Sequence, residues 1–95
     1  MQNGTIDIEL IYCAPCGYQD RALELVQEVI RIRELEYHIR SFRLVPGSKG
    51  IFDVLVNGEK VFSKHDAGRH AEPGECLSLI DSKVKALVGQ STTPA

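Results

Sequence analysis

Ile6-Asp7-Ile8-Glu9-Leu10-Ile11-Tyr12-Cys13-Ala14-Pro15-Cys16-Gly17-Tyr18 is a strand pattern that runs into a turn carrying two cysteines. Ile6, Ile8, Leu10 and Tyr12 alternate with Asp7, Glu9 and Ile11, the period of a strand with one face more buried than the other. Pro15 and Gly17 punctuate a turn. From Tyr18 to about Glu36 there is neither Gly nor Pro, and Leu23, Val26, Val29 and Ile30 recur at three-to-four spacing among charges. That spacing predicts one long amphipathic helix, with Asp20 near its start and Arg31 and Arg33 near its end, the signs the helix dipole favours.

Residues 39–45 read as a second strand, with Phe42 and Leu44 on its buried face and Arg40 and Arg43 less buried. Residues 46–50 read as a loop. Residues 51–56 and 59–63 are two β-rich runs joined by Asn57-Gly58, a hairpin signal because a type I′ turn needs positive φ at both central residues. Residues 64–72 are polar and hold Gly68, which predicts a loop. Pro73 suits the first turn of a last helix, whose apolar stripe is Cys76, Leu77, Ile80, Val84, Leu87 and Val88. Gly89 is expected to end that helix. The order strand–helix–strand–strand–strand–helix makes an α/β sandwich with one mixed sheet, one domain over residues 1–89 and a flexible tail over 90–95.

The composition narrows the function. The chain has 95 residues, enough for one domain, with 43% hydrophobic and 25% charged residues, the balance of a soluble globular domain. A net charge of −2 and the absence of a basic stripe interleaved with aromatics argue against nucleic acid as a partner. Apolar runs fall far below the roughly 18–20 residues of a membrane span. The first residues lack the basic and apolar blocks of a signal peptide, so the expected location is the cytoplasm. Three cysteines are too few and too odd for a secreted disulfide scaffold, and in a reducing compartment a close pair reads as catalytic or metal-binding.

The spacing of Cys13 and Cys16 suits a dithiol. Two cysteines three apart at a helix start lie within about one turn, close enough for a disulfide. Unpaired N–H groups and the helix dipole there stabilise a thiolate, the nucleophilic form. Asp20 opposes that thiolate weakly and Arg21 offsets it. Pro15 removes one N–H between the sulfurs. A zinc site would need two more ligands, and Cys76, His65 and His70 are the candidates, some 50 or more residues away and without the spacing of a second zinc knuckle. Two unreactive buried thiols are the third reading. Cys76 falls on an apolar stripe and reads as a structural thiol, while His65 and His70 read as solvated loop residues and His38 as a capping or surface residue.

The segment from Ile11 to Tyr18 resembles the active-site signature of the selenoprotein W-like (Rdx) proteins. A second match is Gly50-Ile51-Phe52-Asp53-Val54-Leu55-Val56-Asn57-Gly58, continuing through Val61, Ser63 and Lys64, where the family has a Gly-x-Phe-acidic-Val pattern entering a hairpin. The loop from Gly68 to Pro73 is a third. The resemblance implies a thioredoxin-like fold and a cysteine-based oxidoreductase acting on protein or small-molecule thiols and disulfides. It also implies coupling to glutathione or another cellular thiol as co-substrate; no bound cofactor or metal is expected. Selenium-containing members carry selenocysteine at the position of Cys16, which favours Cys16 as the attacking residue; helix-terminus electrostatics favour Cys13. The selenocysteine is absent here, and Gly50-Ile51 stands where thioredoxins place a proline before the third strand. Residues 46–52 are therefore expected to border the dithiol, with Gly50 allowing close backbone approach. Tyr12, Tyr18 and Phe52 are candidates for an apolar rim. Two alternatives to turnover remain: a binding module switched by Cys13–Cys16 oxidation, and a small zinc protein.

Overall fold

The computed structural model describes the backbone of residues 4–91 and the side chains of residues 4–89. Its elements in chain order are β1 (Ile6–Cys13), α1 (Gln19–Ile30), α2 (Arg33–Tyr37), β2 (Ile39–Gly47), β3 (Phe52–Val56), β4 (Glu59–Ser63), α3 (Lys64–Ala67) and α4 (Glu75–Ser91). The strands form one mixed sheet ordered β2-β1-β3-β4. β1 runs parallel to β2 and antiparallel to β3, and β3 pairs antiparallel with β4. The expected α/β sandwich with one mixed sheet is the observed architecture.

One face of the sheet holds the core. Ile6, Ile8 and Leu10 of β1 meet Phe52, Val54 and Val56 of β3 and Phe62 of β4, and Ala22, Leu25 and Val29 of α1 and Cys76, Ile80 and Val84 of α4 close over them. Fully burying a side chain such as Ile80 or Leu10 contributes about 1.5–3 kcal/mol. The outer face of β1 and β2 is polar instead. Arg40 pairs with Asp7, the Ser41 hydroxyl donates to Asp7 at 2.7 Å, and Arg43 lies 3.4 Å from Glu9. The Arg40 guanidinium, with help from Ser41, lowers the Asp7 carboxyl to about 2.

The long first helix is broken. Ile32 adopts extended backbone (φ −90°, ψ 105°) between α1 and α2, and Leu35 beyond it is buried. On an unbroken helix Leu35 would sit about 120° around the axis from Val29, away from the core; the break turns it inward. The buried face of α1 is Ala22, Leu25 and Val29, whereas Leu23 and Ile30 are exposed.

Further boundaries differ from expectation. β2 continues through Pro46 and Gly47, which an edge strand tolerates because its outer backbone groups are unpaired; edge position also leaves Leu44 exposed. Ile51 lies just outside β3. Residues 64–67 form α3, started by the Ser63 side chain accepting from the Asp66 backbone N–H and ended by Gly68 in the left-handed region, a short capped turn in what reads as loop sequence. α4 starts at Glu75, two residues after Pro73, and passes through Gly89 to Ser91; a glycine costs a helix only about 1 kcal/mol. Residues 92–95 of the expected tail lie outside the described residues. The hairpin turn matches its reading, with φ of 50° at Asn57 and 81° at Gly58.

Candidate functional site

β1 delivers Cys13 as its last residue, and residues 14–18 form the turn that leads into α1. The turn is held at several points. The Cys13 N–H donates to the Ile51 carbonyl at 2.8 Å and the Ala14 N–H to the Gly47 carbonyl at 3.1 Å, while the Tyr18 N–H returns to the Cys13 carbonyl at 3.2 Å. The Gln19 side-chain amide donates to the Ala14 carbonyl at 3.1 Å. Within this frame Cys13 and Cys16 are joined in a disulfide, with Cα atoms 5.3 Å apart.

The two sulfurs have unequal surroundings. Cys13 is fully buried, whereas Cys16 is exposed on the turn. Both precede α1 rather than occupying its first turn: Tyr18 is the N-cap, so Cys16 lies three residues ahead of Gln19. The free N–H groups of the helix start still point toward this turn.

Residues 46–52 border the dithiol, as the Ile51 and Gly47 hydrogen bonds show. The glycine that permits close approach is Gly47, not Gly50. A Cβ at Gly47 would lie 2.8 Å from Ile51 Cγ2 and 3.1 Å from Ile11 Cγ2. At Gly50 the nearest atom would be Lys64 Nζ at 3.6 Å, and its requirement is instead a φ of +74°, which L side chains adopt with difficulty.

The candidate rim residues divide. Phe52 is a core residue, 5% exposed, and Tyr12 packs against the core from β1. Tyr18 is half-buried and meets Phe52 edge-on at 6.4 Å, His70 edge-on at 5.1 Å and the Lys64 ammonium at 5.9 Å from its ring centroid. His70 is therefore not a solvated loop histidine. Partial burial, with Arg21 and Lys64 nearby, pushes its pKa down. Its loop is pinned by Arg69, whose guanidinium grips the Glu75 carboxylate through two hydrogen bonds of 2.8 and 3.0 Å. That grip, together with the Glu72 N–H, lowers Glu75 to about 2. His65 instead contacts the Lys49 carbonyl at 3.1 Å.

A cavity of about 390 Å³ opens beside this cluster, lined by Arg21, Leu25, Phe52, His70, Ala71 and Cys76 among others. Cys76 is a free, buried thiol, and burial first, then Glu75 and Glu28, raise it to about 11. It is a poor nucleophile, in keeping with a structural role. Among the described residues, no group of three or more His, Cys, Asp or Glu side chains is placed to hold a metal, and no helix is long and apolar enough to cross a membrane.

Gly47, within the stretch expected to border the dithiol, and Lys64, within the second matched segment, both lie against the site, although no role there is expected of either from the sequence. Their particular contacts come from the sheet register, which pairs Gly47 with Cys13, and from α3, which begins at Lys64.

Known proteins resemble this arrangement. A selenoprotein W-related protein from Vibrio cholerae superposes with a TM-score of 0.73 at 23% identity, over 85% of this chain and 99% of that one. A Bordetella parapertussis protein does so with a TM-score of 0.70 at 23% identity, over 85% and 95%. These likenesses establish the thioredoxin-like fold. The mouse protein migration and invasion enhancer 1 is 35% identical over 63 residues, 66% of this chain, and the match spans about half of that protein's length (51%). The model of the Rdx family matches residues 5–82. With its signature turn, mixed sheet and paired cysteines in place, the chain belongs to the Rdx family.

Proposed function

We propose that the protein carries out thiol–disulfide exchange through Cys13 and Cys16, with Cys16 as the attacking sulfur and Cys13 as the resolving one. The observation that carries this reading is the unequal exposure of a bonded pair: Cys16 faces solvent and Cys13 is buried. An incoming disulfide can reach only the exposed sulfur, and exchange requires the attacking thiolate to approach a disulfide sulfur directly. In the reduced protein the Cys16 thiolate attacks a substrate disulfide, one substrate thiolate leaves, and a mixed disulfide forms on Cys16. Cys13 then attacks the Cys16 sulfur, closes the intramolecular disulfide and expels the second substrate thiolate. The dithiol loses two electrons and the substrate disulfide gains them.

Substrates in this reading are protein or small-molecule disulfides, with glutathione or another cellular thiol returning the protein to its reduced form in the cytoplasm. The Tyr18, His70 and Lys64 cluster and the adjoining cavity lie beside the turn and supply the surface against which a substrate rests.

Trapping tests the assignment. Cys13→Ser retains the attacking thiol without its resolver and is expected to accumulate mixed disulfides from a reduced-then-oxidised cell extract. Cys16→Ser is expected to trap at least about tenfold less, since its remaining thiol is buried. Equal trapping by both variants, or trapping by Cys16→Ser alone, overturns the polarity. If neither traps while oxidation of the parent protein alters its binding to a partner, the pair is a switch rather than an exchange centre.

A further inference from the structure

The large apolar side chains left exposed among the described residues all fall between residues 23 and 44. Leu23 is 52% exposed and Ile30 41%, and their spacing puts them on one line of α1. Arg21, Glu24 and Glu28 occupy the other flank of that helix and line the cavity toward α4. α4 packs on β3 and β4 and α1 on β1, so the apolar flank of α1 overhangs β2. Below it, Phe42 and Leu44 pair with Ile8 and Leu10 of β1 and point to the same inner face, yet Leu44 is 38% exposed. Leu23 and Ile30 above, with Phe42 and Leu44 below, line an apolar shelf that ends at the edge of the sheet.

That edge is open backbone. β2 pairs with β1 and with no other strand among the described residues. The Gly47 carbonyl accepts from the Ala14 N–H on the β1 side, and backbone groups alternate in direction along a strand, so Ser41, Arg43 and Val45 also face β1. Phe42 and Leu44 direct both N–H and C=O outward, whereas Pro46 directs a carbonyl outward with no N–H. Under a two-fold axis through Arg43, an antiparallel second copy sets its Leu44 against Phe42 and its Phe42 against Leu44, and all of these groups are paired. An axis through Leu44 would oppose Phe42 to Pro46 and orphan the Phe42 carbonyl. The Arg43 register also stacks Phe42 on the second copy's Leu44 beneath Leu23 and Ile30, an aromatic–aliphatic cross-strand pair that stabilises a sheet. On the outer face Arg43 meets Arg43, but each lies 3.4 Å from its own Glu9. The row Glu9–Arg43–Arg43–Glu9 across the joined sheet carries no net charge.

We propose that this edge is a self-association surface, on which a second copy of the chain docks by antiparallel β2–β2 pairing centred on Arg43. The edge is complementary to itself, in hydrogen bonds, in apolar contact and in charge, which favours a second copy over a foreign strand. The pairing sets Gly47 opposite Ile39 of the second copy. The two Cys13–Cys16 turns therefore lie at opposite ends of the joined strands, roughly 25 Å apart, and both stay open to substrate. Few side chains take part beside the roughly 20–30 a side of a standard interface, so the dimer is weak, with Kd on the order of 100 μM.

Sedimentation equilibrium of the protein, kept reduced so that no intermolecular disulfide forms, tests this. The parent is expected at its monomer mass near about 1 μM and is expected to approach twice that mass near about 1 mM. Leu44→Lys and Leu23→Lys, both at exposed positions, are expected to keep the parent's circular dichroism and to associate at least about tenfold more weakly, because each sets a charge in the apolar shelf. Crosslinking tests the register. In a Cys13→Ser, Cys16→Ser background, Arg43→Cys is expected to give a disulfide-linked dimer on mild oxidation, since Cα atoms of such a non-hydrogen-bonded pair lie about 4.5 Å apart. Val45→Cys, which the same register holds away from its counterpart, is expected to give little. A monomer mass at every concentration overturns the proposal, even if a foreign strand binds this edge. So does a dimer that survives both lysine variants, or one that crosslinks through Val45→Cys and not through Arg43→Cys.

Discussion

Two cysteines three residues apart end in different environments because one closes a strand and the other sits on a turn. Cys13 inherits the burial of β1, while Pro15 and Gly17 carry Cys16 out to solvent. The same contrast governs the histidines. His65 rests on a backbone carbonyl, but His70 is wedged against Tyr18 with Arg21 and Lys64 near it. Burial and two cations disfavour the imidazolium, so the folded protein holds His70 below its ordinary 6.5. The sign follows from linkage: the unfolded chain takes up this proton more readily, so the stability His70 contributes is complete above pH 6.5 and is lost as pH falls through its lowered value. Proton NMR of the imidazole is expected to show His70 titrating below 6.5, and Lys64→Gln is expected to move it upward. No upward movement in that variant would remove Lys64 as a cause.

At the scale of elements, much was legible in the chain. The period of two in residues 6–12, the Asn57-Gly58 turn and the stripe Cys76, Ile80 and Val84 each fix an element through local chemistry, and each is present. The break at Ile32 was not legible, because no Gly or Pro marks it; it exists to turn Leu35 into the core. The buried face of α1 was misjudged for a related reason. Leu23 and Ile30 are as apolar as Leu25 and Val29, and only the placement of the sheet decides which pair is covered. Leu35→Ala is therefore expected to cost about 2–5 kcal/mol, while Leu23→Ala, at an exposed position, stays within about 0.5 kcal/mol. Urea unfolding of the two variants checks this. Similar losses for both would mean that α1 and α2 form one continuous helix. The site was legible in its cysteines and in the bordering residues 46–52, and hidden in its detail: the close approach at Gly47 and the place of Lys64 over Tyr18 depend on register and on a four-residue helix.

For the whole molecule, the layered fold produces an asymmetric dithiol. α1 and α4 cover one face of the sheet and form the core, so the strand that carries Cys13 is well packed. The turn that carries Cys16 stands clear of that core at the start of α1, where free helix N–H groups favour a thiolate. In the proposed exchange, burial on one side and access on the other divide the labour between the two sulfurs, and Cys76, buried on the inner face of α4, stays out of it. Alkylation of the reduced protein by iodoacetamide at neutral pH, mapped cysteine by cysteine by mass spectrometry, tests this division most directly. The account predicts that Cys16 is modified first and faster than a free cysteine, Cys13 far more slowly, and Cys76 only after denaturation. Modification of Cys13 ahead of Cys16, or of Cys16 no faster than free cysteine, would contradict it.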